Sequence, residues 1–327
     1  MGLLRDAEGR QFEYLRLSVT DRCNFRCVYC LPQGHQARPD ELPALSVPEI
    51  RNLVSGFAEL GFWKVRLTGG EPTVRGDILD LARTVASVPG IRKVVLTTNG
   101  WRLQQLAAPL RAAGITGLNV SVDSLDPKRF LRTTGHARLN GVLKGIDAAF
   151  AAGFTSVKVN AVLMKGANEE DFAAFLEWTS QQPVTVRFIE LMRTRDNGAL
   201  FEQHHLPSGI LYRRLTDAGW TPAPRSEGDG PAQEFSRPGH PGRIGLIAPY
   251  SSSFCRSCNR LRVSSQGGLR LCLFGEADFS LRPMLQSPHQ REELMDAVQS
   301  LILRKPTAHQ LQEGKYGSTA SLAAIGG

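Results

Sequence analysis

Three cysteines fall within eight residues in "CNFRCVYC": Cys23, Cys27 and Cys30, spaced C-x3-C-x2-C. Thiolates on one short loop can hold a zinc ion or three corners of a cubane iron–sulfur cluster. Either way, one coordination position is left without a local cysteine, and an open position is where a metal centre binds a reactant. A second triplet, Cys255, Cys258 and Cys272, is spaced C-x2-C-x13-C and accounts for the rest of the six cysteines. Zinc and a second cluster both fit that pattern, although His240 and His289, the nearest histidines, stand at no familiar zinc spacing. The tight local spacing argues against disulfides. Within "CNRLRV" (258–263), Arg260 and Arg262 fall on one face of a strand. Two guanidiniums so placed can grip a phosphate chain.

Lys plus Arg number 39 against 31 for Asp plus Glu, a net charge of +8. The excess is dispersed, which suits a small anionic ligand better than nucleic acid. No stretch approaches 18 uninterrupted apolar residues, so no membrane span is expected. The opening "MGLLRDAEGRQFEY" is too polar for a secretory signal. A reducing, cytoplasmic setting is therefore expected, where clustered thiols bind metals.

The elements that must position these residues alternate. Strand-like runs cover 14–19, 63–68, 92–98, 117–122, 156–164 and 184–191. Helix-like stretches cover 46–60, 76–87, 102–113, 139–152 and 168–179; the first is announced by Ser46, Pro48 and Glu49. Such alternation implies an α/β fold, a parallel sheet with helices packed outside it. Periodicity alone leaves open a Rossmann-type sheet, a full barrel or a partial one. Residues 221–243 are rich in Pro and Gly and read as a junction or long surface loop. The expected division is a core over 1–225 and an auxiliary region over 226–327, with a helix near 288–303 and a terminal tail.

"DRCNFRCVYC" resembles the signature of the radical S-adenosylmethionine (SAM) superfamily, and "TGGEP" (68–72) resembles its second motif. "YLRLSVTDRCNFRCVYC", "VRLTGGEPTVR", "LTTNG", "NVSVDSLDP", "VKVNAV", "RFIELM", "FCRSCNRLRV" and the terminal "IGG" together resemble the GTP 3′,8-cyclases of molybdenum cofactor biosynthesis, from about residue 5 to the C-terminus. The resemblance implies a partial (β/α)6 TIM-type barrel with a C-terminal extension carrying a second iron–sulfur cluster. It implies two 4Fe–4S clusters, on Cys23, Cys27 and Cys30 and on Cys255, Cys258 and Cys272. SAM would complete the first cluster and guanine would meet the open iron of the second.

By motif position, Tyr29, Gly70, Ser121 and Met192 would contact SAM. Arg16, Arg66, Thr97, Lys158, Arg260 and Arg262 would contact GTP, and Gly326 and Gly327 would reach the active site. A 5′-deoxyadenosyl radical would take hydrogen from C3′ of GTP, and C3′ would then attack C8, giving 3′,8-cyclo-7,8-dihydro-GTP. The resemblance also implies an electron-donor protein, hand-over of product to cyclic pyranopterin monophosphate synthase, and a homodimer. Leu322 stands where the family carries Met, and "RTRDN" follows "FIELM" where a Pro-bearing turn is usual. Other readings of the same residues are a radical enzyme acting on another nucleotide or a peptide, and a non-catalytic metal-cluster protein binding nucleic acid.

Overall fold

The computed structural model describes residues 3–36, 42–225, 230–276 and 278–323. Six strands follow the expected alternation: β1 (Tyr14–Ser18), β2 (Lys64–Thr68), β3 (Lys93–Thr98), β4 (Gly117–Ser121), β5 (Val157–Leu163) and β6 (Thr185–Glu190). They lie side by side in chain order and all parallel. Two later strands extend the parallel row: β9 (Arg243–Ile247) beside β6 and β10 (Arg260–Val263) beside β1. β9 and β10 do not pair among the described residues, so the barrel is partial, as expected.

The strand sequences read apolar at every second position, with polar residues between. Leu15, Leu17, Val65 and Leu67 join one core with helix residues such as Ile50, Leu53 and Phe57. The alternate positions, including Tyr14, Arg16 and Arg66, line an interior cavity. Period-two geometry thus sends the apolar set outward to the helices and the basic set into the lumen. Each fully buried Leu or Phe on the outer face contributes about 1.5–3 kcal/mol.

The five expected helices form as α1 (Val47–Glu59), α2 (Ile78–Ala86), α3 (Leu103–Ala112), α5 (Leu139–Ala151) and α6 (Asp171–Gln181), and the late helix as α9 (Arg291–Ile302). Three more were not expected: α4 (Pro127–Thr134), α7 (Gly198–His204) and α8 (Ser208–Asp217). The 221–243 segment is also more ordered than a surface loop. β7 (Thr221–Pro222) and β8 (Gln233–Ser236) pair antiparallel, and β8 pairs in turn with β9. On the other flank, β11 (Gly268–Arg270) and β12 (Phe279–Ser280) continue the sheet antiparallel from β10. No helix is long and apolar enough to cross a membrane among the described residues.

Ser46 and Glu49 form a capping box at the start of α1. Glu49 also accepts from Arg282 Nε at 2.9 Å and from Gln286, which tethers the helix to the C-terminal region. Burial opposes its ionisation, but these donors and the Ser46 N–H outweigh burial and bring its pKa down to about 2. A depressed carboxyl pKa gives stability that is present above the unfolded value and lost as pH falls through the folded one. Glu49→Gln is therefore expected to lower stability at neutral pH. It should also flatten the loss of stability between pH 4.5 and 2, read by urea titration across that range.

Candidate active site

The β1–α1 loop carries Cys23, Cys27 and Cys30, and all three line one cavity at the C-terminal ends of the parallel strands. Gly69 and Gly70, after β2, close its edge. A Cβ on Gly69 would stand 2.3 Å from the Thr20 carbonyl oxygen, and one on Gly70 would stand 2.3 Å from that of Arg22. Only glycines let the two loops touch, and the contact sets where the cysteine loop lies. Gly70→Ala is expected to cost about 1–3 kcal/mol by overpacking and to displace that loop. A thermal melt of the variant checks the first effect, and cluster loading checks the second.

Glu71 is fully buried and fixes the next turn. It accepts from Thr73 N–H, Thr73 Oγ1, Thr98 Oγ1 and Asn99 N–H, the last at 2.6 Å. Asn99 in turn donates to Asn24 at 2.8 Å, tying β3 to the cysteine loop. Across the cavity, Tyr29 Oη donates to Asp123 Oδ2 at 2.9 Å, and Val162 N–H donates to Oδ1. Burial pushes Asp123 up to about 6, against those two donors. Leu322 and Ala323 complete the wall, so the described end of the chain reaches this cavity.

The second triplet lines a second cavity together with Tyr14, Arg16, Arg66, Arg187, Arg260, Arg262 and Lys305. Among the described residues, no carboxylate lines it. Register explains the density of charge. Arg262, Arg16 and Arg66 are direct partners across β10, β1 and β2. Like charges directly opposite on neighbouring strands destabilise a sheet. The Nε atoms of Arg66, Arg187, Arg260 and Arg262 are buried and have no partner among the described residues.

Burial, then repulsion from Arg262 and Arg66, drives Arg16 well below its ordinary pKa. Burial, then Arg66, takes Arg187 down to about 9. The Tyr14 hydroxyl resists ionisation through burial, yet Arg66, Arg16 and Lys64 pull it down to about 8. Cys258 follows the same pattern: burial raises it, but Arg260 and Lys305 bring it to about 6. Guanidiniums do not shed their protons, so an anion has to meet this charge.

The cavities adjoin. Asn160, Ile189 and Met192 line both, so a ligand in one faces a ligand in the other across that wall. The buried Asn160 Oδ1 has no hydrogen-bond partner among the described residues.

The radical SAM superfamily model matches residues 17–179, and the model for Molybdenum Cofactor Synthesis C matches residues 184–311. A GTP 3′,8-cyclase of Synechococcus elongatus is 50% identical over 327 residues, covering 100% of both chains. The chain belongs to the GTP 3′,8-cyclase family. An Aeromonas hydrophila GTP 3′,8-cyclase is 51% identical over 331 residues, covering 100% of this chain and 97% of its own. Among solved structures, Streptococcus suis SuiB bound to S-adenosylmethionine matches with a TM-score of 0.58 at 14% identity, over 90% of this chain and 72% of that one. At that identity, the likeness speaks to the fold.

The GTP 3′,8-cyclase family carries two 4Fe–4S clusters, and both triads fit them. Each triad lines a cavity, and the family's second cluster takes Cys255, Cys258 and Cys272 in place of the zinc reading.

Of the residues expected at SAM, Tyr29, Gly70, Ser121 and Met192 all line the first cavity. Of those expected at GTP, Arg16, Arg66, Arg260 and Arg262 line the second. Thr97 lines the first cavity only, because Arg66 pairs with Val95 and Thr97 lies one layer nearer the strand end. Lys158 lines neither; its ammonium meets Glu234 Oε1 at 2.5 Å. Gly326 and Gly327 lie outside the described residues.

Leu322, the family's Met position, packs against the cluster of Leu273, Phe274 and Leu311 and lines the first cavity. That departure therefore borders the first cavity. Asp123, Asn160, Arg187 and Lys305 were missed. Arg187 and Asn160 have a signal in hindsight: they hold lumen-facing parity in their strands.

Proposed function

We propose that the chain converts GTP to 3′,8-cyclo-7,8-dihydro-GTP, the first step of molybdenum cofactor synthesis, with SAM in the first cavity and GTP in the second. The observation that carries this reading is the shared wall: two thiol triads ring two cavities joined at Asn160, Ile189 and Met192. When bound, the clusters and SAM supply a 5′-deoxyadenosyl radical and the electrons that complete the reaction.

The residues of this chain do the positioning. Cys23, Cys27 and Cys30 hold the first cluster, and Tyr29, Gly70, Ser121 and Met192 border SAM. Cys255, Cys258 and Cys272 hold the second cluster. Arg260 and Arg262, beside that triad, grip the phosphate chain together with Arg16, Arg66 and Arg187, with Lys158 beyond them. The ribose is then held against the shared wall, where its C3′ hydrogen faces the first cavity. Fixing that approach is an orientation task, worth several kcal/mol of barrier. Thr97 acts from the first cavity at the ribose edge. Gly326 and Gly327, which the family resemblance assigns to the active site, would suit a narrow passage because glycine has no side chain.

On this reading the enzyme is cytoplasmic, can pair as a homodimer, draws electrons from a donor protein and passes its product to cyclic pyranopterin monophosphate synthase. The deciding experiment is anaerobic reconstitution followed by a product assay with GTP, SAM and reductant. The cyclised nucleotide is expected only when all three are present. SAM cleavage with no GTP-derived product would instead favour a different substrate. Removal of Gly326 and Gly327 is expected to leave iron content intact and cut turnover; full turnover of the truncated chain would remove the tail from the site.

A further inference from the structure

Among the described residues the second cavity is lined by several cations and no carboxylate, and the Glu234 carboxylate stands just beyond it. Glu234, on β8, places Oε1 2.5 Å from Lys158 Nζ and Oε2 3.6 Å from Arg243 Nη1. Its side chain is only 18% exposed. Pro231, three residues earlier, lines the second cavity, so the same segment forms part of the cavity wall. Glu234 faces Gly245 across the β8–β9 register. A Cβ on Gly245 would stand 2.8 Å from Arg187 Cγ, so the Arg187 side chain lies across that glycine, beside Glu234. The carboxylate thus sits among Lys158, Arg243 and Arg187.

We propose that Glu234 is a positioning residue that tempers the grip on a nucleotide's last phosphate: its carboxylate holds Lys158 and Arg243 until a terminal phosphate competes for them. This rests on the reading that the second cavity takes GTP. The physical logic has two sides. Without a counter-ion, the cations at this end repel one another in the nucleotide-free protein. With one, every phosphate that reaches Lys158 meets a negative charge, so the last phosphate binds less tightly than the cations alone would allow, and product can leave. A bare cation cluster would hold the terminal phosphate more tightly and release it slowly. Glu234 therefore acts as a positioning residue for Lys158 and not as a catalytic residue.

The test compares wild type with Glu234→Gln, both anaerobically reconstituted, by equilibrium binding of GTP and GDP and by steady-state turnover. Glu234→Gln is expected to bind GTP about tenfold tighter and GDP about threefold tighter at most, because the removed charge acts chiefly on the terminal phosphate. KM and kcat should fall together as product release slows. Glu234→Asp, which keeps the charge and withdraws it by one methylene, should fall between the two and stands in if the glutamine variant does not fold. A pair that only ties β8 to β5 would lower the melting temperature and leave the GTP-to-GDP ratio unchanged. An unchanged or lowered ratio overturns the proposal while the GTP reading stands. Failure of wild type to bind GTP at all overturns both.

Discussion

Cys27→Ala is expected to reduce SAM cleavage to background and to halve the iron of reconstituted protein, from about eight per chain to about four. GTP affinity should change by no more than about twofold, because Cys27 lines the first cavity and not the second. The three residues common to both cavities include no cysteine. Removing one of three protein ligands leaves the cluster two, and no other His, Cys, Asp or Glu completes a set with them among the described residues. Cys258→Ala is the mirror case. It should leave SAM cleavage intact, lower iron by the same amount and abolish cyclisation. Iron analysis, release of 5′-deoxyadenosine and GTP binding, measured on the same samples, separate the two variants. Equal loss of both activities from either substitution would mean that the triads build one centre.

The parallel core was legible because its signal is local. Each strand alternates within five to seven residues, and α1 is announced by a cap that forms as read. α4 was missed although Asp126 caps it and Pro127 opens it, since eight residues leave little room for a periodic stripe. α7 buries none of its side chains, so it carries no apolar period to find. In the 221–243 segment, β7 has two residues and β8 four, shorter than the alternation that would betray them. For the site, the cysteines and strand arginines could be read from spacing and parity. The layer at which each sits could not, because layer depends on register between strands. Thr97 and Lys158 show this: both have the right parity, but pairing sets them in one row through Asn119, beyond the row that holds Arg16 and Arg66. Lys305 had no local signal at all. It follows α9 in irregular chain and reaches the cavity by donating to the Leu271 carbonyl.

Arg262→Met should stabilise the GTP-free protein and at the same time weaken GTP binding by about a hundredfold or more, as losing a buried guanidinium–phosphate contact implies. Arg262 is 6% exposed, its Nε has no partner, and its neighbour across β1 is Arg16, with Arg66 beyond. Burial, then repulsion from Arg260, brings it down to about 10. In the nucleotide-free state, replacing such a charge with an apolar side chain of similar length removes desolvation and repulsion together. Buried ionic groups replaced this way gain about 1–4 kcal/mol. In the GTP-bound state the phosphates cancel the repulsion, and the guanidinium becomes a donor that methionine cannot imitate. The two effects have opposite sign, so one thermal-shift experiment reads both. The variant's melting temperature should exceed that of wild type without GTP. Saturating GTP should raise that of wild type by mass action and leave the variant almost where it was. A variant less stable than wild type without GTP would mean that the arginine row is held by contacts within the protein and not poised for an anion.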